Sequence, residues 1–452
     1  MSMAPFVSIV GARHALEADA VEPRYLDDET GGDAGRPIGL VKPGTVPEVS
    51  AVLACCNEQG QAVVVQGGRT GMTRGGLPQA GELILSLERL SAIEEIDTLA
   101  GTMTVGAGCV LEVAQQAALD AGWRLAVDIG ARGSCTIGGM IATNAGGHQV
   151  LRHGMMRDQV LGLEVVLADG TVLSAMNQML KNNTGYDLKQ MFIGSEGTLG
   201  VVTRAVLRLR PPAIGRETAL CALASYDDAL RLLATLERRM AGQVAAFELM
   251  WRDFLEAACD RLGEGMPFDT GAPPLAVLVE AESVREGGLA ETLEACFEDG
   301  LLRDAILAQS ERDHHRLWSF RDAVGELVSA MAIVEPFDVS APIQAIGALV
   351  ETVRADLCAH LPGSRSLFFG HIADGNLHLV LELASEAQRG EAEAIVYDAI
   401  RDAHGSVSAE HGIGMLKRRW LAHSRSADEI ALMRRIRATF DPKAILNPNR
   451  IF

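Results

Sequence analysis

Gln66-Gly67-Gly68-Arg69-Thr70-Gly71-Met72-Thr73-Arg74-Gly75-Gly76 follows the apolar run Val63-Val64-Val65 without a break. An apolar run that stops at paired glycines reads as a buried strand entering a turn. Glycines admit positive φ and let backbone amides approach an anion with no Cβ in the way. Successive N–H groups in such a turn form a concave nest for phosphate. A second segment, Gly130-Ala131-Arg132-Gly133-Ser134-Cys135-Thr136-Ile137-Gly138-Gly139, continues through Ala142-Thr143-Asn144-Ala145-Gly146-Gly147. One glycine loop is usually only a tight turn. Two of this density in one region point to a long, extended, phosphate-bearing ligand.

Around these loops the pattern is β-rich. Ile84 to Leu87 and Thr102 to Val105 read as strands, and Val110 to Ala121 as a helix closing on Gly122. Leu163 to Leu173 reads as a hairpin turning at Asp169-Gly170. Thr203, Ala205, Leu207 and Leu209 alternate with arginines up to Pro211-Pro212, where a strand and a domain both end. Beyond it, Ser225 and Asp228 open a helix with an apolar stripe of Ala229, Leu232, Leu233, Leu236 and Met240. Leu275 to Val279 and Ser366 to Gly370 read as strands, and Ser426 with Glu429 opens a last helix running to Ala438. A chain of 452 residues exceeds what one core usually organises. The pattern predicts an α+β protein with a polar lead-in over 1–35, a first domain over 36–213, a second over 214–440 and a tail over 441–452.

Composition excludes several classes of function. A formal charge of −19 argues against nucleic acid or anionic lipid as a partner. No run of about 18 apolar residues is present to span a membrane, and the first twenty residues lack the charged and apolar parts of a signal peptide. The eight cysteines form no metal-type CxxC pattern, which reads as reduced thiols in a cytoplasmic protein. Gly106-Ala107-Gly108 lacks the third glycine of a nicotinamide-binding fingerprint. Ile193-Gly194-Ser195-Glu196-Gly197 lacks the first glycine of a nucleophile elbow.

A second constellation lies in Gly370-His371-Ile372-Ala373-Asp374-Gly375-Asn376-Leu377-His378. If Asp374-Gly375 is a two-residue hairpin turn, His371 and His378 stand opposite each other with Cβ atoms about 5 Å apart. Two such imidazoles can share one metal at about 2.1 Å each. Glu410-His411-Gly412-Ile413-Gly414 offers a carboxylate and a third imidazole. Two histidines and one glutamate leave an open coordination position, as in catalytic zinc sites, and by themselves would equally suit a metal-dependent hydrolase. Spacing alone does not bring residues 371 and 410 together.

QGGRTGM (66–72), GSCTIGGMIATNAGG (133–147), LGLEVVLADGTVL (161–173) and GSEGTLGVVT (194–203), in that order, resemble the p-cresol methylhydroxylase/vanillyl-alcohol oxidase superfamily. The resemblance runs from about residue 36 to the tail. It implies an FAD-binding domain of two subdomains, completed by the tail at Asn447, and an α+β cap domain with an antiparallel sheet. It implies that Gly67, Gly68, Arg69, Thr70, Gly71 and Met72 hold the pyrophosphate, with Gln66 and Gly75 of the same loop also binding the cofactor. Gly133, Ser134, Cys135, Gly138, Asn144, Gly146 and Val201 would line the flavin. Some members attach FAD through a histidine of the first loop; with Arg69 there, noncovalent FAD is expected.

GHIADGNLH (370–378) followed by SAEHGIG (408–414) resembles the D-2-hydroxy acid dehydrogenase branch, which includes D-2-hydroxyglutarate, D-lactate and glycolate dehydrogenases. The resemblance implies His371, His378 and Glu410 as ligands of a divalent metal, zinc first with manganese or cobalt next. It implies His411 as the catalytic base, Asn376 as a substrate contact and Arg321, in Trp318-Ser319-Phe320-Arg321, as the grip on a substrate carboxylate. A cation would orient the 2-hydroxy acid and acidify its hydroxyl, His411 would take that proton, and hydride would pass to flavin N5. Electrons would leave to a carrier protein or a quinone. D-2-hydroxyglutarate leads as substrate, with D-lactate or glycolate next; a noncatalytic flavin-binding subunit of a larger complex is the remaining reading, and a homodimer is the prior for assembly. Two positions depart from the branch. Pro336, in Glu335-Pro336-Phe337-Asp338, stands where hydroxyglutarate-type members show the lysine of a K-Y-D pattern, and Gly325 where a threonine is common.

Overall fold

The computed structural model describes residues 2–282 and 285–452. The chain forms two compact units: Met1–Gly147, Gly154–Pro212 and Glu410–Phe452 make the first, His148–His153 and Ala213–Ala409 the second. The sequence pattern runs the second domain to residue 440, whereas the structure groups residues 410–452 with unit 1. Hydrogen bonds explain the difference. The N–H groups of Ile413 and Gly414 donate to the Glu196 carboxylate, and that of Met415 to the Thr73 carbonyl.

Unit 1 holds two sheets. β1 (Ala15–Glu17), β2 (Gly39–Val41), β3 (Val63–Gln66) and β4 (Leu83–Ser86) lie in the order β1-β2-β4-β3. The β2-β4-β3 part is parallel and β1 is antiparallel to β2. β5 (Ile93–Asp97), β6 (Thr102–Gly106), β7 (Val160–Val166), β8 (Val172–Ala175) and β9 (Val201–Arg208) form an antiparallel sheet in the order β5-β6-β9-β7-β8. Residues 1–35 are more than a lead-in: Phe6 of the helix Ala4–Val10 is fully buried, and β1 joins a sheet. The β7–β8 hairpin turns through three residues, 168–170, because Leu167 N–H pairs with the Thr171 carbonyl. Val63 and Leu85 of the first sheet and Met103 and Val165 of the second share one apolar core.

Unit 2 is built on a wholly antiparallel seven-stranded sheet. Its strands are β10 (Arg216–Leu223), β11 (Val244–Trp251), β12 (Leu275–Glu282), β13 (Asp304–Leu307), β14 (Val334–Ser340), β15 (Arg365–Gly370) and β16 (Asn376–Glu382). They lie in the order β13-β10-β12-β11-β15-β16-β14. Directly opposed residues share a face, so the pairs Thr218/Glu280, Glu248/Leu278, Phe369/His378 and Asp338/His378 set several ionisable groups on one side. Phe254, Leu317 and Phe320, from the helices Arg252–Leu262 and Glu311–Asp322, pack with Leu278 and Phe369. Glu248 and Glu280 are therefore buried beside an apolar core and need partners. β14 is an edge strand, where a proline can sit without removing a ladder bond, and Pro336 there is exposed.

Candidate active site

A cavity of about 590 Å³ in unit 1 opens between the two glycine-rich segments, and Glu410, His411 and Asn447 also line it. Every cofactor-binding position expected from the sequence lines it except Gly133 and Asn144. Asn144 instead ends the helix Ile137–Thr143 in a left-handed conformation, with its Oδ1 accepting from Arg157 N–H. Gln66 fastens the first loop by donating to the carbonyls of Gly76 and Tyr25, both at 2.9 Å. A Cβ on Gly67 would fall 2.4 Å from Thr136 Oγ1, and one on Gly68 only 2.2 Å from the Ser134 carbonyl oxygen. The two loops are pressed together, and only glycine permits that approach. By contrast, Gly71 and Gly75 have no atom within 4 Å of a Cβ position, leaving their backbone approachable. A narrow, backbone-lined cradle suits the diphosphate and flavin of FAD.

The segment carrying Glu410 and His411 is held by Glu196, a residue to which sequence reading gave no role. Glu196 has φ 51° and accepts from Ile413 N–H and Gly414 N–H, each at 2.7 Å. Burial raises its carboxyl above the ordinary range, with those two amides and Lys417 opposing. Thr73, in the first glycine loop, donates its hydroxyl to the His411 carbonyl at 3.3 Å. Asn447 bridges Val65 N–H at 2.9 Å and the Glu196 carbonyl at 2.7 Å, tying the tail to the cavity wall.

Unit 2 contains the paired histidines. They do not face each other across a two-residue turn: His378 is paired with Phe369, and Ile372–Asp374 form a 3₁₀ turn closed by Gly375 at φ 86°. Gly375 takes the left-handed cap, so the reversal runs through the five residues 371–375 between the strands, and His371 lies just beyond the ladder. The imidazoles nevertheless converge, with ring centroids 5.2 Å apart. His371 Nδ1 lies 2.5 Å from Glu248 Oε1, and Glu248 Oε2 accepts from Arg321 Nε at 2.7 Å. Burial would push the Glu248 carboxyl up, but the His371 and Arg321 charges outweigh it and hold it well below the usual carboxylate range. Asp338 Oδ1 is 3.8 Å from His378 Nδ1. The Arg321 guanidinium lies over the Phe369 ring, 4.6 Å from its centroid. His148 stacks on Trp318 and lies 5.2 Å from the His371 ring.

Asn376 sits two residues before His378 on the same strand face, only 3% exposed. Neither its side-chain oxygen nor its nitrogen has a hydrogen-bond partner among the described residues. A buried amide with both ends unsatisfied marks a place for a missing polar group. Sequence reading also passed over Glu248, Asp338 and His148. Glu248 left a signal, as the sole charge in VAAFELMW, and Asp338 left one as the aspartate of the segment set against the K-Y-D pattern; His148 left none that distinguishes it from a surface residue.

Residues 37–175 match the family model for an FAD binding domain, and residues 215–451 match that for the C-terminal domain of FAD linked oxidases. A mitochondrial D-2-hydroxyglutarate dehydrogenase of Bos taurus is 39% identical, covering 91% of this chain and 76% of its own. A D-2-hydroxyglutarate dehydrogenase of Xanthomonas citri pv. viticola is also 39% identical, covering 92% of this chain and 89% of its own. Among solved structures, p-cresol methylhydroxylase with substrate bound superposes with a TM-score of 0.78 at 17% identity, over 99% of this chain and 96% of that one, a likeness of fold. With a glycine-lined cavity, both domain matches and relatives along nearly its whole length, this chain belongs to the FAD-linked oxidases, as an FAD-dependent dehydrogenase homologous to D-2-hydroxyglutarate dehydrogenases.

Proposed function

We propose that the protein oxidises a D-2-hydroxy acid, with D-2-hydroxyglutarate as leading substrate, to the 2-oxo acid, using noncovalent FAD and a divalent cation. The observation that carries this reading is the converging imidazole pair, His371 buried and His378 half-buried, with a carboxylate beside each Nδ1, Glu248 at 2.5 Å from His371 and Asp338 at 3.8 Å from His378. Metal-binding histidines characteristically present Nδ1 to a carboxylate and the other nitrogen to the ion. The donor set His371, His378 and Glu410 suits zinc, with manganese or cobalt able to replace it.

FAD, when bound, supplies the two-electron acceptor. The chain's own residues do the rest. His411 accepts the hydroxyl proton at its imidazole. Asn376 donates and accepts through an amide otherwise unsatisfied. Arg321, steered through Nε by Glu248, offers its Nη nitrogens to the carboxylate. Noncovalent attachment fits the loop, which has Arg69 in place of a histidine, and fits Cys135, whose thiol burial pushes up to about 11 and so keeps protonated. Electrons then pass to a carrier protein or quinone.

D-2-hydroxyglutarate ranks first because the relatives at 39% identity bear that name. D-lactate or glycolate is favoured by one observation, the uncharged and exposed Pro336 on the strand face that carries Asp338. The test is dye reduction by the FAD-loaded protein with both enantiomers of a 2-hydroxy acid panel, before and after chelation. The expected result is turnover of D-enantiomers only, lost on chelation and restored by Zn²⁺, Mn²⁺ or Co²⁺. Full activity after thorough chelation would overturn the metal assignment, and no turnover of any 2-hydroxy acid would make the protein a noncatalytic flavin subunit.

A further inference from the structure

We infer that Glu248 is a positioning residue that couples the metal ligand to the substrate grip, one carboxylate fixing His371 through Nδ1 and Arg321 through Nε. The inference rests on the metal and substrate roles proposed above for those two residues.

Glu248 lies on β11, the middle strand of the seven-stranded sheet, and is 1% exposed. Its neighbours along the strand, Phe247 and Leu249, and its cross-strand partner, Leu278, are apolar and buried. A lone carboxylate in such a strand is strongly unfavourable unless both oxygens are paired. Here both are, each to a different group: Oε1 lies 2.5 Å from His371 Nδ1 and Oε2 2.7 Å from Arg321 Nε. The two partners come from separate parts of the unit, His371 from just beyond β15 and Arg321 from the helix Glu311–Asp322. Glu248 is the one side chain hydrogen-bonded to both among the described residues.

The two arms have different chemical consequences. On the histidine arm, a carboxylate at Nδ1 accepts its proton, which leaves the lone pair on Nε2 as the donor toward a cation. On the arginine arm, the bond uses Nε alone, and Phe369 supports the flat face of the guanidinium at 4.6 Å. Nη1 and Nη2 donate to no other group among the described residues, so the carboxylate fixes the group while leaving its forked end for a ligand. One strand-borne oxygen pair thereby sets where a cation and a substrate carboxylate stand relative to each other.

Glu248→Gln tests both arms in the full-length, FAD-loaded protein. The variant amide keeps the shape, but its NH₂ can donate to Nδ1, which moves the proton to Nε2 and removes the lone pair from the metal side. Zinc affinity, read by competition with a chelating dye, is expected to fall about 10- to 100-fold. KM for the hydroxy acid is expected to stay raised even at saturating zinc, because the Arg321 arm is weakened separately. The flavin absorbance should be unchanged. Glu248→Asp, which keeps the charge on a shorter stem, should recover part of the zinc affinity.

Unchanged zinc affinity in Glu248→Gln would overturn the coupling. So would an equal loss of zinc, flavin and melting temperature in the Gln and Asp variants, since that describes a merely structural carboxylate. Wild-type protein that binds no zinc in the same titration would overturn the metal reading itself, a failure visible before any variant is measured.

Discussion

The glycine-lined cavity of unit 1 and the ionisable cluster of unit 2 are built from opposite materials. The cavity is shaped by backbone: its critical positions are glycines whose missing Cβ atoms let two loops touch. The cluster is shaped by side chains, with Glu248, Asp338, His371, His378 and Arg321 gathered from different strands and a helix onto one sheet face. Steric change should therefore break the first and charge change the second. Two glutamates make the same contrast. Glu196 in unit 1 meets mainly amides and is pushed up by burial, whereas Glu248 in unit 2 meets cationic partners and is held down.

The largest effect is expected from Gly68→Val. Its Cβ would fall 2.2 Å from the Ser134 carbonyl oxygen, which is backbone and cannot step aside. The purified variant should show no flavin absorbance; a normal flavin spectrum would refute the backbone-built cradle. His411→Ala should come next, lowering kcat by about 10²- to 10⁴-fold, the usual contribution of a general base, while FAD stays bound. Flavin loss in that variant would place His411 with the cradle rather than with the chemistry.

His378→Ala should lower zinc affinity without altering the flavin spectrum, and added metal should restore turnover only partly. Metal content after dialysis is the measurement. A variant that keeps one full equivalent of zinc would remove His378 from the ligand set.

The two glutamates give a test with opposite signs. Glu248 has a depressed folded pKa, so its stabilisation is fully present above the ordinary carboxylate value of about 4.3 and is lost as pH falls below it through the folded value. The melting temperature of wild type relative to Glu248→Gln should therefore drop on acidification. Glu196 has a raised folded pKa, so its contribution is present below the ordinary value and is lost as pH rises through the folded one. Wild type relative to Glu196→Gln should lose stability on the alkaline side of about 4.3. Parallel pH trends in the two pairs would erase the distinction between the units. The smallest effect is expected from Pro336→Lys. An added charge at an exposed edge position should favour D-2-hydroxyglutarate over D-lactate by about 1 kcal/mol or less in kcat/KM, read as the ratio of the two specificity constants.

Legibility in the sequence followed the same division. The glycine loops are contiguous, and a phosphate cradle made of backbone must be written as consecutive small residues, so the cavity could be read directly from residues 66–76 and 130–147. The strands β3, β4 and β6 and the capping box at Ser426 and Glu429 were equally local, because period, cap and turn chemistry act over a few residues. Misreadings arose where a local rule had more than one solution. Asp374-Gly375 satisfies a two-residue turn, yet the chain closes through a 3₁₀ turn and moves the ladder register by two. Residues 1–35 look polar and irregular, yet Phe6 finds a core that only distant residues complete.

By itself, then, the sequence determined the glycine-rich loops that line the cavity, the α+β succession of elements, and which residue types were available for metal and proton chemistry. Only the tertiary structure decided that Glu248 stands between His371 and Arg321, 123 and 73 residues away along the chain. It alone left the Asn376 amide buried with no partner among the described residues, and it alone used Glu196 to fasten the segment bearing Glu410 and His411. The reason is physical. A backbone site is fixed by conformations that each residue carries with it, whereas a buried charge cluster exists only when separate strands are packed and their ionised groups, cut off from water, must satisfy one another.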